Sequence, residues 1–262
     1  GFAIGSVLGG LLFADYKVFL FILLAASTIL TIIVIALFIP ETIHKSRIEY
    51  RDSDEEELNK PNEGKFITVI FKNKVLVIIL FLGFVFQVMD NQIAYYLSLL
   101  YYDLFEEKSY QVLGFLRTEN TIIAIVFLFA IKKYLTRFKE VNIALIGGIF
   151  LFVGYVLLSA LQVEMLLYGA MFIASIGEIL LFPPLQSISA NLIPPQFRGR
   201  YASLANICGT VGGMFAVVFM LLHPLNSPQI VTVIYIVLGL LTIWALIKLR
   251  VHIQVNDFLR KI

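Results

Sequence analysis

Long apolar segments, separated by short polar breaks, occupy almost the whole chain. A helix needs about 20 apolar residues to cross the ~30 Å hydrocarbon core of a bilayer. The pattern predicts helices and not barrel strands, because barrel strands are about 10 residues long and alternate in polarity. We therefore predict an all-α polytopic membrane protein. Its eight candidate spans, of which the first is shorter than a full crossing, are 1–14, 18–39, 75–100, 111–131, 141–160, 165–187, 201–222 and 229–247.

Residues 41–74 form the one long polar stretch, and they separate the first two apolar segments from the last six. Acidic residues cluster in this stretch, which is typical of a solvated connection between two bundles. We therefore predict four parts. In chain order they are the last two helices of one bundle at 1–40, a linker at 41–74, a six-helix bundle at 75–250 and a tail at 251–262.

The composition supports a lipid environment and argues against several kinds of site. Hydrophobic residues make up 60% of the chain and charged residues 15%, whereas soluble domains are roughly 45–50% apolar. The net charge of +2, without a long basic run, argues against a nucleic-acid partner. The single cysteine and three scattered histidines offer no disulfide framework or metal-ligand spacing. We expect no enzyme, metal or cofactor, because no nucleophile–base pair is visible either.

Lysine and arginine residues are distributed unequally between alternate loops. Of the 20, seventeen lie in the linker, in loops 132–140 and 191–200, and in the C-terminal tail, whereas two lie in the alternate loops. Loops rich in Lys and Arg stay on the cytoplasmic side. We therefore predict a multi-pass protein of the cell membrane whose linker and C-terminus are cytoplasmic.

Glycines recur at short intervals at the start of the chain, at Gly1, Gly5, Gly9 and Gly10. Because glycine has no side chain, two membrane helices that meet at such positions can pack nearly backbone to backbone. The segment resembles the G-x-x-x-G-P-x-x-G-G motif in the fifth helix of antiporters of the major facilitator superfamily. Ser6 stands where the family has proline.

A second segment of this kind, 207–213, aligns with 4–10 and contains the glycines Gly209, Gly212 and Gly213. The halves of a facilitator are parallel repeats six helices apart, so the resemblance implies that the second copy belongs to the eleventh helix. The loop before it contains Arg198 and Gly199 and is similar to the P-x-x-x-R-G loop of the family. Loop 132–140 lacks the Asp and Gly of the family's other basic loop.

By this resemblance the chain runs from about the fifth to the twelfth helix of a twelve-helix transporter. The first four helices would then be missing, and they would be needed to complete a site for a small-molecule substrate. We accordingly expect that the 262 residues do not transport by themselves.

Polar residues share one face of the predicted span 75–100. An ionisable residue in a membrane costs at least about 2.5–3.5 kcal/mol to insert, so it faces a cavity or a partner. Helical spacing brings together Gln87, Asp90, Asn91, Tyr95 and Ser98. Such a face predicts a cavity wall, and the alternative is a structural cluster of hydrogen bonds between helices.

Glu178 lies near the middle of the predicted span 165–187, with no cationic side chain within one turn. A carboxyl group favours its neutral form when it is dry and ionises when water reaches it. A proton-coupled carrier requires this property, and a permanently protonated structural glutamate is the alternative. Pro183 and Pro184 follow and predict a break or kink in this helix.

Three further polar residues lie in predicted spans. Arg117 either extends its guanidinium group to the outer interface or pairs with Asp90 or Glu178 across the cavity. Glu119 points about 200° away from Arg117 on the same helix, so we expect no direct pair between them. Asn206 is either a hydrogen-bonding contact between helices or a polar group of the cavity.

The resemblance implies a secondary active transporter that works by alternating access, and its antiporter motif implies export. With the buried carboxyl groups, it favours export of a small amphipathic molecule in exchange for protons. Phe, Tyr and Met beside few charges would suit such a substrate. A nutrient–proton symporter is the alternative within transport. A non-transporting membrane scaffold or remnant is the alternative outside it.

Overall fold

The computed structural model describes residues 2–13, 15–38, 63–135, 138–194, 197–221 and 228–259, and these ranges are helical and contain no strand. The predicted all-α class is therefore confirmed. The described α-helices are α1 (Phe2–Leu12), α2 (Lys17–Phe38), α3 (Glu63–Lys72), α4 (Lys74–Ala94), α5 (Tyr96–Phe105), α6 (Ser109–Leu135), α7 (Glu140–Ala160), α8 (Glu164–Leu192), α9 (Arg198–Leu221) and α10 (Pro228–Leu259). A 3-10 turn, Glu106–Lys108, connects α5 with α6.

Six stretches of the described helices are long and apolar enough to cross a membrane, compared with the eight predicted spans. They are Lys17–Phe38, Lys74–Phe127, Glu140–Ala160, Glu164–Leu192, Arg198–Val218 and Gln229–Gln254. Two features account for the difference. The helix α1 has only 11 residues, and the 54-residue stretch from Lys74 to Phe127 contains two of the predicted spans.

Large apolar side chains are exposed along these helices. Met165 is 82% exposed, Leu221 70% and Trp244 58%. A soluble protein rarely leaves so much continuous apolar surface in water, so these surfaces are suited to contact with lipid acyl chains.

The chain divides into two compact units, residues 1–11 with 70–262 and residues 12–69. In the smaller unit, α2 has no buried residue. Its hydroxyl groups are satisfied within the helix, since Ser27 donates to the Leu24 carbonyl and Thr31 to the Ser27 carbonyl, both at 2.8 Å. Most of the predicted linker lies outside the described residues, so the four-part division at 41–74 stays a prediction.

The predicted span 75–100 is not one continuous helix. Tyr95 has φ −107° and ψ −87°, which ends α4 and begins α5. The Ser98 hydroxyl donates to the Tyr95 carbonyl at 2.6 Å and so satisfies a backbone group at the break. Because α5 continues to Phe105, the helical region extends beyond the predicted end at residue 100.

The helix α8 continues through Pro183 and Pro184, so of the break or kink expected there, the break does not occur. Each proline removes one backbone donor from the helix. The remaining hydrogen bonds of the helix persist, since an unwound segment in an apolar environment would leave more backbone groups unpaired.

The helices α7 and α8 pack backbone against backbone. A Cβ atom on Gly154 would lie 2.5 Å from the Ala174 nitrogen, and one on Gly177 would collide with the Leu151 backbone. Neither position leaves room for a side chain. Gly177 precedes Glu178, so this contact holds the α8 backbone in place at the carboxylate.

Candidate binding cavity

A cavity of about 790 Å³ lies among α4, α8 and α9. Five of the seven residues predicted for substrate binding or proton coupling line it: Gln87, Asn91, Tyr95, Glu178 and Asn206. Gln186 and Thr210 add polar groups that the sequence analysis did not select. Apolar parts of the wall come from Phe86, Phe182 and Met214. The wall therefore combines amides and one carboxyl group with aromatic and thioether surface.

The second glycine segment forms the α9 wall of this cavity. A Cβ atom on Gly212 would lie 2.7 Å from the Phe84 carbonyl oxygen, so α9 approaches α4 as closely as a glycine allows. A Cβ atom added on Gly209 would lie 3.3 Å from Gln87 Cγ, and one added on Gly213 would lie 3.5 Å from Asn91 Nδ2. Side chains at these two positions would take up space beside the amides.

The amides on α4 are ordered by a local hydrogen bond. Asn91 Nδ2 donates to Gln87 Oε1 at 2.9 Å and to the Gln87 carbonyl at 2.8 Å. Both residues line the cavity. The two bonds use the Asn91 amide nitrogen and Gln87 Oε1, and they leave Asn91 Oδ1 and Gln87 Nε2 for a ligand.

Asp90 lies on the same helix but is not among the residues that line the cavity. Its Oδ1 atom pairs with Arg117 Nη1 at 3.0 Å. The same oxygen accepts a hydrogen bond from the Tyr155 hydroxyl at 2.9 Å, and Arg117 Nη2 donates to the Asp90 carbonyl at 3.4 Å. Of the two interpretations of Arg117, the structure shows pairing across the bundle, with Asp90 as the partner.

Glu178 has neutral partners. Asn120 Nδ2 donates to Glu178 Oε2 at 2.9 Å and to Ser175 Oγ at 3.0 Å. Ser175 in turn donates to the Met171 carbonyl at 2.8 Å. In the described part of the chain, the ion pairs are Arg117–Asp90 and Lys108–Glu164, so no cation lies within salt-bridge distance of Glu178.

Tyr155 is a site residue that sequence reasoning missed. Its ring stacks on Tyr235, with centroids 6.1 Å apart and planes 7° apart, and the Tyr235 hydroxyl donates to the Met89 carbonyl at 3.1 Å. The one available signal was an isolated tyrosine in an otherwise apolar span. Asp90 on α4 therefore contacts Arg117 on α6 and Tyr155 on α7, and Tyr155 in turn packs on Tyr235 of α10.

The remaining predicted motif residues lie away from the cavity. In the first glycine segment, a Cβ atom added on Gly10 would lie 2.7 Å from the Tyr110 carbonyl oxygen, so α1 meets α6 there. A Cβ atom added on Gly5 or Gly9 would meet nothing within 4 Å. Arg198 Nη2 donates to the Ala190 carbonyl at 3.4 Å and connects the start of α9 with the end of α8. An added Cβ atom on Gly199 would also meet nothing within 4 Å.

Apolar helices around a cavity with polar groups in its wall are typical of a multi-pass membrane protein. The model of the Major Facilitator Superfamily matches residues 1–217, and the chain belongs to this superfamily of secondary transporters. No curated protein matches the chain. Members of this superfamily are transporters and not enzymes.

Proposed function

We propose that this protein exports a small amphipathic cation in exchange for protons, and that Glu178 is the proton-carrying group. The observation that carries the proposal is the position of Glu178. It lines the cavity, and Asn120 donates a neutral hydrogen bond to it. Asp90 is a weaker candidate, because Arg117 already compensates its charge.

Proton exchange would follow from the difference between a dry and a wet cavity. When the cavity is closed, Glu178 carries a proton and is neutral, which the low local dielectric favours. When the cavity opens to water, Glu178 releases that proton and can pair with a cationic substrate. The bundle then reorients around the site and exposes the substrate to the other side, where a new proton displaces it.

The wall chemistry supports a substrate that is both apolar and cationic. Phe86 and Phe182 pack with ring centroids 4.4 Å apart beside Met214. Aromatic faces and a thioether accept an apolar or cationic body, and Glu178 offers the opposite charge. The export direction rests on the resemblance of the glycine segments to those of antiporters. We also propose the predicted orientation, in which the protein lies in the cell membrane with its linker and C-terminus in the cytoplasm.

The test is uptake of the cationic dye ethidium, driven by an imposed pH gradient, into everted membrane vesicles that contain the 262 residues together with the four preceding helices that the resemblance implies. Glu178→Gln should abolish pH-driven uptake of the dye against its own concentration gradient. It should retain exchange of internal for external dye, since that exchange requires no net proton transfer. Glu164→Gln is the matched control, because it makes the same substitution at a glutamate outside the cavity and should retain gradient-driven uptake. Full pH-driven uptake by Glu178→Gln would refute the proton role.

A further inference from the structure

A second pocket, of about 380 Å³, lies between α6 and α8. Its lining residues are Phe115, Thr118, Glu119, Ile122, Ile123 and Tyr168. None of them lines the central cavity. On α6 they occupy the side opposite to Arg117, because Glu119 is about 200° away from Arg117 around the helix.

The α6 helix therefore has two polar faces with different roles. Arg117 and Asn120 face the bundle and bind Asp90 and Glu178. Glu119 faces the second pocket, whose rim residues Phe115 and Ile122 are 39% and 52% exposed. The second pocket is thus open at the surface of its unit, where the neighbouring side chains are apolar.

Glu119 has a carboxylate oxygen that nothing satisfies. Its Oε2 atom is buried, and no hydrogen-bond donor reaches it in the described part of the chain. The nearby Tyr168 hydroxyl donates instead to Glu164 Oε1 at 3.4 Å, and Glu164 pairs with Lys108. A buried carboxylate oxygen without a donor is costly, and a ligand that supplies a donor would remove that cost.

We propose that this pocket is a peripheral binding site for an amphipathic alkylamine that reaches it from the lipid phase. The ammonium group binds Glu119, and the alkyl chain lies along Ile122 and Ile123. The Phe115 ring supplies an aromatic face beside the cation. Charge complementarity selects the amine, because the two hydroxyl groups of the wall donate elsewhere, Thr118 to the Gly114 carbonyl and Tyr168 to Glu164, and the other lining side chains are apolar. The site is independent of the proposed proton coupling, since binding requires no gradient.

Fluorescence quenching in the purified full chain tests this site. Trp244 is the single tryptophan, so Trp244→Phe with Val126→Trp places the one fluorophore beside the pocket. Val126 is exposed, is one helical turn from Ile122 and does not line the pocket. The probe is decylamine with a nitroxide at the end of its chain, and decanol with the same nitroxide is the neutral control. We expect saturable quenching by the amine alone, weakened about tenfold by Glu119→Gln, as for loss of one charged hydrogen bond.

Two further variants make the outcome decisive. Phe115→Leu keeps the carboxylate and should weaken amine binding about threefold through loss of the ring. Glu178→Gln lies in the other cavity and should leave quenching unchanged. Size-exclusion profiles show whether each variant is folded. Equal quenching by amine and alcohol, unchanged binding in both Glu119→Gln and Phe115→Leu, or loss of quenching in Glu178→Gln would overturn the proposal.

Discussion

Asp90 and Glu178 are two carboxylates in the apolar interior of one bundle, and their surroundings differ in charge. Asp90 contacts a guanidinium and a phenol hydroxyl. Glu178 accepts from an amide and borders the cavity. A paired carboxylate is stabilised in its ionised form and holds helices together. A carboxylate with neutral partners can gain or lose a proton without breaking an ion pair. From this difference we propose a structural role for Asp90 and proton exchange for Glu178.

The largest expected effect is on the paired site. Arg117→Met leaves Asp90 without its cation and should lower the free energy of unfolding by about 3–5 kcal/mol. The measurement is thermal or denaturant unfolding of the purified protein in detergent. The double variant Arg117→Met with Asp90→Asn should recover most of the loss, because no uncompensated charge remains. A double variant as unstable as the single one would show that packing, and not charge, is what Arg117 supplies.

Tyr155→Phe tests the second contact of Asp90 and should have a smaller effect. It removes the hydroxyl that donates to Oδ1 but keeps the ring that stacks on Tyr235. We expect a loss of about 1.5 kcal/mol, as for a hydrogen bond to a charged group. Tyr235→Phe is the matched control, because it removes a hydroxyl that binds a neutral carbonyl. Equal losses in the two variants would argue against an ionised Asp90.

Asn120→Ala makes the equivalent change at Glu178. The variant loses donors to Glu178 and Ser175. Interhelical hydrogen bonds between neutral groups in membranes average about 0.6 kcal/mol, so the same unfolding measurement should show a loss near that value. A loss as large as that of Tyr155→Phe would indicate that Glu178 is ionised in the folded protein, and the contrast between the two sites would then fail.

Glu178→Gln should have the smallest effect on stability, below about 0.5 kcal/mol, because the amide oxygen of glutamine can still accept from Asn120. Asp90→Asn is the matched substitution at the other site and should cost several times more, since Arg117 then lacks its carboxylate. Unfolding of the two variants side by side compares the sites directly. Similar losses would remove the distinction between a structural and an exchanging carboxylate.

Hydropathy and spacing predicted most of the helices and the polar residues inside them. The apolar runs follow from the cost of exposing backbone groups to lipid, which is a local property of the chain. The same local reasoning placed Gln87, Asn91 and Tyr95 on one helix face, and all three line the cavity. It also separated Glu119 from Arg117, which lie on different faces of α6 and have different neighbours.

Several features depended on contacts between distant segments and were not predictable in this way. The break at Tyr95 and the continuity of α8 through Pro183 and Pro184 contradict the simplest expectation from local pattern. The close approach at Gly154 and Gly177 involves two different helices, and each glycine alone is uninformative. Tyr155 was missed for the same reason, because its importance arises from Asp90 on another helix.

The amino-acid pattern alone indicates a set of membrane helices with a few buried polar groups, because solvent preference and helical periodicity are properties of single segments. The pairing of Arg117 with Asp90, and the neutral donor to Glu178 beside the cavity, became evident from the packed bundle. Pairing energies depend on distances of a few ångströms between helices, and those distances are set by how side chains and glycines pack across the bundle.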